Sequence, residues 1–422
     1  MTSLAYAALW IFVFALPWEA ILVIVPGIGV LSKATGALAL GAALGMAVIK
    51  GRFRRWHAFH VAGLLFVIWL VVLVFLFHFG ERMPSTFFTF VQLFVVLWII
   101  WELAPSWDRQ VGLLTAYVLG AHVAALGTIM AYLRAAGTMN RYVVGGLDAN
   151  DLAMTLALAV PMAWYLGMAH GRPLLRWVCR GYLATGLFAI GLTGSRGGML
   201  ATVVALLIVP VTMLRLSSGR RAAAIAMLVL AGTLAVAYIP ERIVQRLATT
   251  TDQVEEGRLS GRGKIWKAGL IAFTRKPVAG FGPGGFRSAV QPYLGSSTQV
   301  AHNSYLSVLV EEGLVGFVLY ATMVGSVWLA VLKLPTLERR FALVLLATLA
   351  VAMLPLTWED RKVVWFVLAA LLGLSQAPRP AWLGAAGRAL PQRTVPSVPA
   401  RVARSTEPML ASNRNARPGT AS

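Results

Sequence analysis

The sequence predicts an all-α polytopic membrane protein with about 12 transmembrane helices and one large loop between spans nine and ten. Three observations carry this. The chain of 422 residues is 58% hydrophobic and only 13% charged. It contains repeated apolar runs of about 18 residues or more, the length that crosses a bilayer as a helix. Its one long polar interruption covers residues 241–302, where nine cationic side chains stand against four carboxylates.

Spans are expected at 4–25, 31–49, 58–79, 84–103, 110–134, 151–169, 181–194, 198–214, 222–240, 303–332, 341–357 and 363–376. The amino terminus runs from Leu4 into the first of them with no small-residue cleavage site and reads as a retained helix. The exits of spans two, six, eight and ten are cationic: Lys50, Arg52, Arg54 and Arg55; Arg172, Arg176 and Arg180; Arg215, Arg220 and Arg221; Lys333, Arg339 and Arg340. Positive charge marks the cytoplasmic side, so both termini are expected there and the 241–302 loop outside. Long loops translocate largely regardless of charge, which leaves the cations of this loop needing another explanation. Residues 1–376 read as one transmembrane domain that includes the loop. Residues 377–422, rich in Pro, Arg, Ala and Ser, read as a disordered basic cytoplasmic tail.

The formal charge of +21 does not point to nucleic acid, because the cations fall in short loops and in the tail, where they face anionic lipid. A single Cys179 excludes an internal disulfide and a cysteine-based metal site. No internal repeat of the kind found in many transporters is evident.

Four constellations carry polar chemistry, and the topology puts all of them on the outer side. The first, Gly145–Ala153, leads into span six, with Asn150 or Asp151 expected to cap that helix. The second, Thr193-Gly194-Ser195-Arg196-Gly197-Gly198, is a tight turn that clamps Arg196 between glycines and could present its planar fork to phosphate oxygens. The third runs from Arg258 to Phe286. There Arg262, Trp266, Leu270 and Phe273 form the stripe of an amphipathic surface helix, followed by the glycine-rich Pro277–Phe286 segment, which has no flanking strand and so is no dinucleotide-binding loop. The fourth is His302, at the mouth of span ten, where neighbouring cations disfavour the imidazolium and leave a neutral base. His122, mid-span, reads instead as a hydrogen-bonded structural residue. Glu311 and Glu312 follow two to three turns into the same helix, a costly depth unless they meet a cation or orient the site.

The ordered set Gly261-Arg262-x-x-Ile265-Trp266, Pro277-x-x-Gly280-x-Gly282-x-Gly284-x-Phe286, His302-Asn303-x-Tyr305-Leu306 and Glu311-x-Gly313-Leu314-x-Gly316 resembles the signature region of the O-antigen ligase superfamily. Thr193-x-Ser195-Arg196-Gly197 and Asn150-x-Leu152-Ala153 match what that family carries upstream. The resemblance implies a multi-pass glycosyltransferase of the bacterial inner membrane. It would move a glycan from undecaprenyl pyrophosphate, at the periplasmic face, to the lipid A-core oligosaccharide. By position, Arg196 and Arg262 would bind the pyrophosphate and His302 would act as base toward the acceptor hydroxyl, with Arg258, Asn150, Tyr305 and Glu311 in support. Displacement at an anomeric carbon needs charge stabilisation on the leaving group and proton removal from the nucleophile, and arginines and an imidazole supply both. With no Asp-x-Asp pair in the outer loops and no His/Cys cluster, no metal and no cofactor are expected. An O-antigen polymerase, a protein O-oligosaccharyltransferase and, from another class, a lipid-linked glycan transporter are the alternatives.

Overall fold

The computed structural model describes residues 2–19, 31–51, 53–77, 83–135, 138–145, 147–213, 218–248, 261–295 and 300–378. All the extended regular elements among them are helices. They are α1 (Thr2–Ala15), α2 (Leu31–Lys50), α3 (Ala58–Leu76), α4 (Met83–Leu103), α5 (Trp107–Arg134), α6 (Ala149–Ala169), α7 (Pro173–Leu192), α8 (Arg196–Leu206) and α9 (Ile208–Met213). There follow α10 (Ser218–Tyr238), α11 (Glu241–Ala248), α12 (Arg262–Arg275), α13 (Phe286–Leu294), α14 (Ser304–Glu311), α15 (Gly313–Val331), α16 (Thr336–Ala352) and α17 (Lys362–Gln376).

Six stretches are long and apolar enough to cross a bilayer: α3, α4, α5, α6, the run of α8 and α9 from Arg196 to Met213, and α15. Shorter apolar helices occupy Ser3–Trp18, Ala34–Gly45, Ala224–Leu234 and Lys362–Gln376. The chain is therefore a multi-pass membrane protein. The expected tail lies outside the described residues from 379 onward.

α6 is the central helix, with 89% of its apolar stretch buried inside the protein. It packs on α5, α7, α8 and α16. Buried hydroxyl and indole groups reach across it, as suits helices that lack a hydrophobic driving force between them in lipid. Tyr117 donates to the Thr155 carbonyl at 3.0 Å, Tyr182 to that of Leu156 at 2.9 Å, and Trp164 to the Thr212 hydroxyl at 2.7 Å. His122 is a structural residue, its Nε2 3.0 Å from the Val178 carbonyl and its ring edge-on to Tyr182.

The expected tenth span is two helices. α14 ends at Glu311, and Gly313, at φ +69°, starts α15. The cause is the glycine-rich segment, which docks on the break through the backbone. Phe281 N–H donates to the Val310 carbonyl at 3.0 Å, Gly282 N–H to that of Glu311 at 2.7 Å, and Leu314 N–H to that of Pro277 at 2.8 Å. A Cβ on Gly280 would sit 2.4 Å from the Glu311 carbonyl oxygen, and one on Gly313 2.2 Å from that of Val278. Both glycines also hold the left-handed backbone.

The described parts of the 241–302 region, 241–248, 261–295 and 300–302, include three helices. Ile265, Ala268 and Ala272 of α12 share a small core with Phe286, Ala289 and Val290 of α13 and with Ala301, Leu306 and Val310. The expected amphipathic helix is present, but its buried face is Ile265, Ala268, Gly269 and Ala272. Leu270, on the stripe expected to lie against the membrane, is 53% exposed on the protein surface, opposite that packed face.

Gly280→Ala and Gly313→Ala are expected to lower the thermal midpoint of the detergent-purified protein, each adding left-handed strain of about 1–2 kcal/mol to the backbone clash. Gly325→Ala, in open space within α15, should leave the midpoint unchanged or raise it. Equal melting of all three variants would mean that the docked segment does not hold the helix break together.

Candidate functional site

The four polar constellations fold into two clusters, each built at helix N-termini. Asp148, not Asn150 or Asp151, caps α6, accepting from Asn150 N–H at 2.8 Å and Asp151 N–H at 3.3 Å. That leaves the Asn150 side chain free of capping. Its Oδ1 accepts from Ser195 Oγ at 2.9 Å and from Arg141 Nη2 at 2.8 Å. Ser195 caps α8, taking Gly198 N–H at 3.1 Å, so Arg196 is the first residue of a helix instead of the centre of a free turn. Gly197 and Gly198 allow the close approach. A Cβ on Gly198 would meet Ala153 Cβ at 2.3 Å, and one on Gly197 would meet Pro355 Cγ at 2.9 Å.

The second cluster joins Arg262 to His302. Trp266, one turn after Arg262, donates its indole N–H to the Ala301 carbonyl at 3.1 Å and so ties α12 to the residue before His302. His302 has φ +47°, the only positive value of a non-glycine among the described residues. Such a conformation persists only where neighbours fix it. Here the Thr357 hydroxyl accepts His302 N–H at 3.0 Å, and Asn303 caps α14 by accepting Leu306 N–H at 3.0 Å.

Both groups are half-buried, and their electrostatics are linked. Burial lowers the His302 pKa below the ordinary imidazole value, the Arg262 charge lowers it further, and Asp148 acts in the opposite sense. Burial likewise lowers Arg262, opposed by Asp148. An arginine stays cationic through this range, so at neutral pH the pair is a guanidinium beside a neutral imidazole.

The segment between α16 and α17 connects the clusters, and sequence reasoning did not single it out. Ser304 donates to the Leu356 carbonyl at 2.9 Å and accepts Trp358 N–H at 2.8 Å. The Trp358 indole donates to Asp151 Oδ1 at 2.9 Å, and Arg361 lies 3.6 Å from the other oxygen of that carboxylate. The start of α14 is thereby tied to the start of α6. A cavity of about 940 Å³ opens beside this segment, with Glu19, Asp151, Asp360, Arg361 and Lys362 as its charged lining and Phe12 and Leu40 among its apolar lining.

The remaining expected residues support from behind. Buried Glu311 pairs with no arginine among the described residues. It accepts Gly284 N–H at 2.6 Å and Phe286 N–H at 3.1 Å, fixing the glycine-rich segment and the start of α13. Glu312 is also buried, with Gly316 bare beneath its side chain, and its carbonyl accepts the Trp69 indole at 2.9 Å. Tyr305 braces α14 on α16 through the Ala350 carbonyl at 2.9 Å. Arg258 lies outside the described residues.

Residues 181–321, from within α7 to within α15, match the family model described as O-antigen ligase. The matched stretch contains Arg196, Arg262, His302, Tyr305 and Glu311 and supports a place in the O-antigen ligase/polymerase superfamily. No curated protein matches the chain.

Replacing either charged neighbour should move the His302 titration in opposite directions. Arg262→Gln removes the cation that depresses it and should raise the midpoint. Asp148→Asn keeps a capping side chain, removes the carboxylate that supports the imidazolium, and should lower it. Histidine-selective NMR titration in detergent reads both, and shifts of the same sign would break the proposed grouping.

Proposed function

We propose that the chain is an O-antigen ligase of the bacterial inner membrane, acting at the periplasmic face with both termini in the cytoplasm. It transfers O-antigen glycan from undecaprenyl pyrophosphate to the lipid A-core oligosaccharide. The match over residues 181–321 supports the class of enzyme. The observation that carries the mechanism is the placing of Arg262 beside His302 by the Trp266 to Ala301 hydrogen bond.

On this reading the acceptor hydroxyl attacks the anomeric carbon of the donor as the bond from that carbon to the pyrophosphate oxygen breaks. Neutral His302 takes the hydroxyl proton, which needs an unprotonated imidazole at working pH, and its lowered pKa supports this. Charge grows on the leaving pyrophosphate, where Arg196 and Arg262 provide bidentate donors without a metal. One displacement inverts the anomeric configuration. The proton then passes from His302 to water, and undecaprenyl pyrophosphate leaves toward the lipid. The 940 Å³ cavity, which reaches Asp151 and Trp358 and combines apolar side chains with charged ones, offers room for part of a lipid-linked substrate.

Purified protein reconstituted with undecaprenyl-pyrophosphate glycan and lipid A-core, with chelator present, should form glycan-bearing lipid A-core. His302→Ala should reduce the rate by about 100-fold or more with donor binding retained. Arg196→Ala and Arg262→Ala should weaken donor binding as well, and lysine at either position should not restore it, because the fork is lost. Elongation of the donor alone would reassign the chain to the polymerases, transfer to a protein to the oligosaccharyltransferases, and an unaltered donor to transport.

A further inference from the structure

The Asn150 amide has a fixed polarity. An arginine side chain only donates, so the Asn150 atom 2.8 Å from Arg141 Nη2 must be the oxygen. The second contact agrees. Ser195 Oγ already accepts Gly198 N–H, which leaves its proton for the same Asn150 oxygen at 2.9 Å. With Oδ1 occupied twice, the NH2 group faces away from both partners and donates to nothing among the described residues. It belongs to a half-exposed side chain beside the first turn of α8, where Arg196 stands.

Arg141 is itself held. Its Nε donates to the Thr193 carbonyl, at the end of α7, at 2.9 Å, and its stem lies 3.7 Å from where a Gly194 Cβ would be. Only a planar fork bridges that carbonyl and the Asn150 oxygen together. A purely structural bridge would be satisfied equally by a carboxylate at 150, which accepts from Arg141 and Ser195 just as well. An asparagine keeps the bridge and adds an outward donor.

We propose that Asn150 is a substrate-binding residue whose amide N–H donates to a pyrophosphate oxygen of the lipid-linked donor beside Arg196, and that Arg141 is the positioning residue that sets the amide's polarity. This rests on the pyrophosphate reading above and deepens it. A carboxylate at 150 turns a donor toward the anion into a like charge, whereas arginine at 141 acts only through Asn150.

The test is direct binding of glycan-free undecaprenyl pyrophosphate to the full-length protein in nanodiscs, with thermal melting recorded for each variant. Asn150→Asp should melt as wild type yet bind on the order of tenfold more weakly or worse. Arg141→Ala should also weaken binding, and should add nothing in an Asn150→Ala background, because both act through one amide. In transfer assays Arg141→Ala should raise the donor KM with kcat largely kept. Wild-type affinity in Asn150→Asp, or additive losses for Arg141→Ala and Asn150→Ala, would overturn the proposal while leaving the ligase reading intact. Failure of wild type itself to bind the pyrophosphate would remove both.

Discussion

The Glu311 carboxylate, buried where α14 gives way to α15, is the contact on which the Arg262 half of the candidate site depends. A carboxylate at that depth is costly unless hydrogen-bonded, and here it accepts two backbone N–H groups of the glycine-rich segment. Those bonds fix Gly284 and Phe286, Phe286 enters the small core with α12, and α12 carries Arg262 at its start. The glycines follow from the same constraint, since a side chain at 280 or 313 would drive the segment off the helix break. Two motifs separated by about 25 residues in sequence, Pro277–Phe286 and Glu311–Gly316, are thus two halves of one backbone clasp.

The other half of the site is fixed from α6. Gly198 lies flat against Ala153, Ser195 reaches Asn150, and Arg141 closes the triangle onto the end of α7. The segment between α16 and α17 joins the halves, because Ser304 and Asp151, at the starts of α14 and α6, both bond Trp358. Such direct coupling holds groups on separate helices in register, and suits a reaction whose contributing atoms must not drift by an ångström.

Much of this was legible in the sequence. Apolar run lengths gave the membrane class, and polar residues clustered at the helix ends marked Arg196, Arg262 and His302 as candidates before any geometry. What could not be read were choices between chemically equivalent neighbours and contacts across long separations. Asp148, Asn150 and Asp151 are all good capping residues, and only the backbone direction decides that Asp148 takes the role. The helix break at Gly313 is invisible to hydropathy, since a glycine in an apolar run is tolerated and the break is stabilised by carbonyls more than 30 residues upstream. Arg141 looks like any arginine near a membrane boundary, and Thr357 to Arg361 look like an ordinary turn, because their partners lie on other helices.

One further regularity bears on the proposed chemistry. Arg196 and Arg262 are each the first residue of a helix, Asn150 is the second of another, and His302 stands just before the cap of a fourth. A helix N-terminus carries partial positive charge and unpaired N–H groups, so cations there oppose the macrodipole by about 0.3–1 kcal/mol each. Arginines at that end work against the dipoles, and at Arg262 burial adds to the cost while Asp148 offsets part of it. A pyrophosphate bound at these termini would meet the dipoles, the guanidinium forks and the Asn150 amide with favourable sign, against the opposing charge of Asp148, and would partly cancel the field that keeps His302 neutral. On that reading the imidazole gains proton affinity as the leaving group gathers charge, so the base strengthens at the moment the acceptor proton must be taken.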